Sequence, residues 1–448
     1  MGEGGRVTVI NGTPYRWRRT GQNNYQMNDW NFPEVIEPGS VSGTYVEFDH
    51  GIFTTRSDTN GYVVYDLEGT NHSFTVKVRD SPSNISVELG SVAAVNNPKG
   101  STINLGWRHD GNVSFVLSGK EGSFHTLNPP IDWMQQSLST MGKRSLSQIC
   151  MLGTHNAGMS FVSHSDFPNG LVDDYVLCQS TPVLGQLTLG SRYLDVRPLI
   201  SAGEFWTGHY ASKIGGRGES LASIIAGINQ FLSHTPELVI VNISHTLQTD
   251  TGAVWREFDL GEWHRLLREL LKLDHLFVVR DQKKAQDLSL VTLDEYIGNG
   301  RGAVICVIEN ESLDLGDEFR DKGFYKPSQL NVRNEYSNKD DAVVMVHDQL
   351  TKMKGHMSTG DKRLFLLSWT LTQQVPDWDG DIIGLITKVL SFLKPIRTLA
   401  YTCNKELVTY LLPEVSNSSF PNVVYIDYLD SSEYVALVMA VNDKIFNN

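Results

Sequence analysis

Leu238-Val-Ile-Val-Asn-Ile243 is an apolar run broken only by Asn242, followed at once by Ser244-His245 and later by Gly261-Glu-Trp-His-Arg-Leu-Leu-Arg-Glu-Leu-Leu271. Six residues apolar almost throughout read as a strand covered on both faces, the condition of a parallel sheet. The later stretch places apolar residues at three- and four-residue intervals, the period of an amphipathic helix. One unit therefore reads strand, polar strand end, helix. Working outward, apolar runs of the same kind are Gln148-Ile-Cys-Met-Leu152, Arg192-Tyr-Leu-Asp-Val196, Ala303-Val-Ile-Cys-Val-Ile308, Ala342-Val-Val-Met-Val346, Leu364-Phe-Leu-Leu-Ser-Trp369 and Val423-Val-Tyr-Ile-Asp427. The number of units predicts an α/β chain with an irregular (β/α)8 TIM-type barrel in preference to an open sheet.

Residues 1 to 128 show a different rhythm. Tyr45-Val-Glu-Phe48, Tyr62-Val-Val-Tyr65, Ser73-Phe-Thr-Val-Lys-Val78 and Val113-Ser-Phe-Val-Leu117 are short runs separated by Pro38-Gly39, Ser57-Asp-Thr-Asn-Gly61, Asn97-Pro98 and Asp110-Gly111. Short strands with turn residues between them, and no helical period, predict a small all-β, sandwich-like domain. Leu127-Asn-Pro129-Pro130 reads as the linker, so the expected domains are 1–128 and 129–448. Tyr15, Trp17, Tyr25, Trp30 and Phe32 lie close in sequence to Arg16, Arg18 and Arg19. They read either as core aromatics with solvated arginines or as an aromatic-basic surface for headgroups or sugars.

Composition narrows the classes. Of 448 residues, 40% are hydrophobic and 20% charged, which describes a folded globular protein, and the formal net charge is -13. That balance makes the chain a poor candidate for wrapping nucleic acid, whose affinity comes mainly from lysine and arginine. It equally disfavours purely electrostatic attachment to anionic lipid. The four cysteines at 150, 178, 306 and 403 have neither zinc spacing nor a disulfide framework, and free thiols are expected. Met1-Gly-Glu-Gly-Gly-Arg6 lacks the apolar stretch of a secretory signal, so the expectation is a cytoplasmic or non-classically released protein, peripheral to a membrane. Ile382 to Leu393 reads as a helix packed on the core and not as a membrane span.

In such barrels chemistry gathers at the C-terminal ends of the strands. The runs end in Gly153-Thr-His-Asn-Ala-Gly158, Leu194-Asp-Val-Arg-Pro198 with a hairpin through Phe205-Trp-Thr-Gly-His209, Ser244-His245, Glu309-Asn310, His347-Asp348 and Asp427-Tyr428. Histidines, an arginine and carboxylates converging on one face supply a base, an acid and a fixed cation, the set that phosphoryl transfer requires.

At these residues the chain resembles the phosphatidylinositol-specific phospholipase C family. Gly153-Thr-His-Asn-Ala-Gly158 is similar to its first-strand motif, Leu194-Asp-Val-Arg197 to the second-strand motif of its bacterial branch, and Gly208-His209 to the segment of its second catalytic histidine. The resemblance covers about residues 140 to 430 and nothing N-terminal of them. It implies that His155 takes the proton from the inositol 2-hydroxyl, which attacks phosphorus, and that His209 protonates the departing glyceride oxygen. The products would be diacylglycerol and a cyclic inositol phosphate. Asp427 would orient His155, Arg197 would neutralise the phosphate, and Asp195 would orient His209 or Arg197. Asn156, Glu309, Asp348 and Trp369 are the expected substrate-binding residues.

The family's eukaryotic members use calcium. Here Arg197 and Ser244 stand where two acidic ligands would be, so no metal and no cofactor is expected. The bacterial enzymes carry an arginine where this chain has Glu309, and an Asp-x-Tyr where Asp348-Gln-Leu350 is read. These departures leave open a different phospholipid or a glycan-linked inositol headgroup. A catalytically inactive membrane- or sugar-binding protein is the non-enzyme alternative. A phospholipid substrate implies peripheral contact with a membrane, either through rim aromatics (Trp206, Tyr210 and Trp378) or through the N-terminal domain.

Overall fold

The computed structural model describes residues 3–165, 173–211, 214–252, 254–374 and 393–446. The apolar runs form eight strands in one sheet, in the spatial order Phe324–Tyr325, Ala303–Ile308, Leu238–Ile243, Ser191–Val196, Met151–Thr154, Val423–Ile426, Leu364–Trp369, Val332–Asn334. Every neighbouring pair is parallel. Followed along the chain, this is the order of a ring opened between its fifth and sixth members. The curled sheet is barrel-like and irregular, since among the described residues no pairing joins Phe324–Tyr325 to Val332–Asn334.

Six of these strands, Met151–Thr154, Ser191–Val196, Ala303–Ile308, Phe324–Tyr325, Leu364–Trp369 and Val423–Ile426, are buried along their whole length, which explains their lack of polar alternation. Helices cover them in the expected way. Helix Leu260–Leu270 starts at a capping box in which Asp259 accepts the Glu262 N–H and Glu262 accepts the Asp259 N–H. It buries Trp263, Leu266, Leu267 and Leu270 at the helical period against a core that includes Val239, Val241, Val304 and Cys306.

One expected strand is a helix. Ala342–Ser358 is helical, beginning where the Asp341 carboxylate accepts the Val344 N–H. Met345, Val346, Gln349, Leu350 and Met353 are buried, while Val343 and Val344 face solvent. The run of β-branched residues misled, because burial follows the 3.6-residue period and overrides strand propensity. Asp348 is therefore not a strand-end residue, and the reading of Leu350 in place of a ring-stacking tyrosine loses its basis. The strands that hold those places in the sheet, Phe324–Tyr325 and Val332–Asn334, have two and three residues and leave no periodic trace. Ile382 to Phe392, most of the expected core helix, and Trp378 lie outside the described residues.

By its contacts the chain divides into two units: residues 131–404 with 421–431, and residues 1–130 with 405–420 and 432–448. The sequence reading had assigned all of 129–448 to the barrel. The second unit is built on two sheets. Its strands form a five-stranded sheet containing Glu3–Gly12, Val41–Phe48 and Asn112–Lys120, and a six-stranded sheet containing Trp17–Tyr25, Asn60–Leu67, Ser73–Asp80 and Ser83–Glu88. One core, with Val7, Val9, Trp17, Val46, Phe74 and Phe115, is shared by both sheets. Helix Glu433–Lys444 packs on strand Asn112–Lys120, where the Ser114 hydroxyl donates to Glu433 at 2.6 Å. This explains why Val113 to Gly119 is buried on both faces. Trp17 and Phe32 are core residues. Arg16, Arg18 and Arg19 are paired with Glu37, Glu68 and Glu34, so the aromatic-basic surface does not form as a continuous patch.

Candidate active site

Five sequence-predicted residues meet at the C-terminal ends of neighbouring strands. His155 follows Met151–Thr154, and its Nδ1 lies 2.7 Å from Asp427 Oδ1 at the end of Val423–Ile426. Gln179 fixes both strand ends, donating to the carbonyls of His155 (2.8 Å) and Ile426 (3.1 Å). His209 arrives on the hairpin Pro198–Ser201 and Glu204–Ala211. That hairpin turns on Ala202 and Gly203, both in the left-handed region at φ 52° and 79°, as a two-residue turn of the favoured hand requires. Asp250 caps it by accepting both turn N–H groups at 2.8 Å. A Cβ at Gly208 would stand 2.1 Å from Leu199 Cδ2 and 2.8 Å from Tyr210 Cε2, so a larger residue before His209 would force those side chains to shift. The His155 and His209 rings are 6.2 Å apart and nearly perpendicular.

Asp195 is the hub beside them. Its Oδ2 accepts from Arg197 Nε (3.0 Å), the Tyr425 hydroxyl (2.6 Å) and the Asn156 N–H (3.0 Å), and its Oδ1 accepts from the Ser244 hydroxyl (2.7 Å). Asp195 thus orients Arg197, and His209 takes a different partner: its Nδ1 lies 3.2 Å from the Val176 carbonyl and 3.4 Å from Cys178 Sγ. A carbonyl only accepts, so Nδ1 holds the proton and Nε2 is the free basic nitrogen.

The electrostatics follow from this wiring. Burial alone would raise the Asp195 carboxyl, but Arg197, His155 and the bonds from Tyr425 and Ser244 hold it well below the usual carboxylate range. Burial disfavours charge on Arg197, and Asp195 more than offsets it, leaving the guanidinium above its ordinary value. His209 is pushed down to about 3, first by burial and then by the charges of Arg197 and His155. Glu309 sits at its expected strand end, its N–H donating to the Ile243 carbonyl, and desolvation there together with Asp195 raises its carboxyl.

Asn156, His245 and Tyr428 each come two residues after a strand and each have positive φ (44°, 48° and 55°). Such strain clusters where a structure holds functional groups in place. Asn156 is fully buried and donates weakly to the Gly208 carbonyl (3.4 Å), while its Oδ1 has no partner. A cavity of about 530 Å³ opens beside Arg197 and Gly208 and runs past His245, Tyr210, Trp255 and Glu257.

Two expected residues are elsewhere. Asp348 is bound to Ser337 (2.6 Å) and Lys352 (2.7 Å) on its helix. Trp369 is fully buried and donates its indole N–H to the Cys403 carbonyl, so it offers no surface to a ligand. Of the rim aromatics, Tyr210 packs edge-on to Trp255 and Trp206 lies under the Arg217 guanidinium. The sequence reading missed Tyr425, Gln179, Cys178 and His245. Tyr425 and His245 stood in the quoted strand-end runs, whereas Cys178 and Gln179 lie in a loop with no periodic signal.

No family model matches the chain. Among curated proteins it is similar to the variant-surface-glycoprotein phospholipase C of Trypanosoma cruzi, 26% identical over 162 residues, 29% of this chain and 41% of the relative. The chain thus spans less than half the length of that relative. Among solved structures it is similar to the phosphatidylinositol-specific phospholipase C of Listeria monocytogenes, with a TM-score of 0.47 and 15% identity over 68% of this chain and 98% of that one. A Staphylococcus aureus phosphatidylinositol-specific phospholipase C gives 0.48 and 15% over 70% and 98%. On its motifs and its likeness to the trypanosome protein, the chain is phosphatidylinositol-specific phospholipase C-like.

Proposed function

We propose that the chain is a phosphodiesterase that cleaves the glycerol–phosphate bond of inositol phospholipids by two-histidine acid–base catalysis. The observation that carries this reading is the His155–Asp427 bond with the His209 ring 6.2 Å from that of His155. Asp427 fixes the His155 tautomer, leaving Nε2 to remove the proton of the inositol 2-hydroxyl. The oxygen attacks phosphorus, the bond to the glyceride oxygen breaks, and His209 Nε2 delivers the proton to that oxygen. His209 is neutral in the free protein, so it must gain its proton with substrate. An anionic phosphodiester beside Arg197 supports this by offsetting the cation that holds His209 down. The cyclic inositol phosphate could then be opened by water with the two roles exchanged.

The donor set supports a reaction without a metal. Four donors already occupy Asp195, which leaves no array of oxygens for a hard cation. His155, Cys178 and Asp427 bring ligand-type atoms within 4.8 Å of one another, yet burial first, and then Asp427, raises the Cys178 thiol and keeps it protonated. The two N-terminal sheets with their shared core fit a sandwich domain appended to the catalytic one.

A second reading rests on the cavity beyond Arg197 and on Glu309. They would suit a larger, glycan-linked inositol headgroup, with Tyr210 and Trp255 as stacking faces. Diacylglycerol release measured across phosphatidylinositol, a glycan-linked inositol lipid and phosphatidylcholine tests both. The main reading expects the inositol lipids to be cut, and His155→Ala and His209→Ala each to lose about 10²- to 10⁴-fold. Turnover of phosphatidylcholine alone, or activity surviving either substitution, would overturn it.

A further inference from the structure

In the N-terminal unit the chain turns through His50-Gly-Ile-Phe-Thr54 and leaves Ile52 and Phe53 95% and 97% exposed. Single exposed apolar side chains are ordinary, but an adjacent pair held outward on a fixed loop is not. Hydrogen bonds on either side of the pair shape the loop. The Asp49 N–H donates to the Gln26 carbonyl (2.9 Å), the Gly51 N–H to Asp49 Oδ1 (2.8 Å), and the Thr54 hydroxyl to the Gly51 carbonyl (2.7 Å). Beneath it the buried Asp80 accepts from Arg56 at 2.9 and 2.7 Å and pairs with His50 at 2.9 Å. Arg56 also reaches Glu3, so the cluster of Glu3, His50 and Asp80 is neutralised by a guanidinium and acts as an anchor, not as a metal site. The fold spends an ion-pair network on keeping two apolar side chains in water.

A second observation lies at the same end of the sheet. A concavity of about 460 Å³ is lined by Tyr62, Lys77, Arg79, Asn84 and Ser86, among others. Its place is set by the strand register. Tyr25 pairs with Asn60, Asn60 with Arg79 and Arg79 with Asn84, and the next residue after Arg79 is the loop's anchor, Asp80. Tyr25, on that row, is also largely exposed. Lys77 is paired with Glu88, whereas Arg79 has no ion pair among the described residues. A free guanidinium among amide and hydroxyl groups is the chemistry that receives a phosphate.

We propose that this end of the N-terminal unit docks on a phospholipid bilayer, with Ile52 and Phe53 entering the interface and a lipid phosphate seated by Arg79. The inference rests on the proposed function only for choosing a lipid surface as the partner. A net charge of -13 opposes capture by long-range attraction, so shallow apolar insertion beside one local cation is the form of attachment this chain can use.

The test uses the full chain and vesicles of phosphatidylcholine with phosphatidylinositol. I52S/F53S should lower vesicle binding about tenfold or more, because burying one large apolar side chain is worth roughly that factor. Arg79→Gln should cost less, and its effect should vanish at high salt. Phe53→Trp should show blue-shifted emission on vesicles and quenching by brominated lipid. All three variants should keep the native rate on a soluble inositol phosphodiester. That arm reads the proposed function separately, since an inactive native chain would refute the function and leave the binding result standing. Native-like vesicle binding by I52S/F53S, or an unshifted Trp at 53, would overturn the proposal. Loss of self-association in I52S/F53S with unchanged vesicle binding would also overturn it, assigning the pair to a contact between copies of the chain.

Discussion

Strand Ser191–Val196 carries a buried arginine–carboxylate pair at each end, with opposite fates. At its start Arg192 meets Glu237 at 2.7 Å, both side chains sealed from solvent. The guanidinium spends its other N–H groups on the carbonyls of Leu187, Ser191 and Ile131, and Glu237 also accepts from the N–H groups of Met134 and Gln135. Burial lowers Arg192 and raises Glu237 despite their mutual attraction, with Asp132 as a further charge acting on the guanidinium. At the strand's far end Asp195 and Arg197 are the same chemical pair, but the Arg197 side chain stays 18% exposed beside a cavity. There charge wins over burial, and His155, His209 and His245 stand close enough to feel it. A buried ion pair is therefore not by itself a sign of function. Access and convergent titratable groups make the difference.

Separating the two pairs experimentally sharpens that contrast. Glu237→Gln should have the largest effect on stability, about 3–5 kcal/mol by urea unfolding, because it leaves Arg192 buried without its counter-charge. The rate per folded molecule should not change. Arg197→Lys should do the reverse, lowering kcat about 10²- to 10³-fold through loss of the planar fork while the unfolding midpoint stays close to native. Equal effects of the two substitutions on rate would break the comparison. Tyr425→Phe removes one donor to Asp195 and should cost about 1.5–3 kcal/mol, seen mainly in kcat and rescued by no metal.

A further contrast lies in pH dependence. His209 titrates near 3 in the folded chain against an ordinary value of 6.5. As pH falls below about 6.5, the unfolded chain takes up a proton that the native chain refuses, so this contribution to stability is complete above 6.5 and lost towards 3. Urea midpoints measured across that window should fall more steeply for the native protein than for His209→Gln. Parallel curves would contradict the assignment.

The site was more legible in the sequence than the fold around it. Gly153 to Gly158, Leu194 to Arg197 and Gly208-His209 could be read because strand ends in a parallel sheet are short, local and polar against an apolar background. The His155–Asp427 partnership was implied by the family resemblance alone. What escaped was set by tertiary context. Ala342 to Val346 looks like a strand by composition, and only the buried set Met345, Gln349 and Met353 reveals the helix. Glu433 to Lys444 is apolar nearly all round, and nothing in its sequence says that it packs on a strand more than three hundred residues away, through Ser114 and Glu433. Ile52 and Phe53 carry no signal in the sequence that sets them apart, and only the structure shows them in solvent.

In the proposed mechanism His155 takes a proton from the inositol 2-hydroxyl and His209 gives one to the glyceride oxygen. Phosphorus-31 NMR of phosphatidylinositol cleavage, followed in time with chelator present, tests it most directly. The resonance of a five-membered cyclic phosphodiester should appear first and later be converted to a phosphomonoester, with both steps absent in His155→Ala. A phosphomonoester forming from the start, or a reaction that stops when the chelator is added, would contradict it.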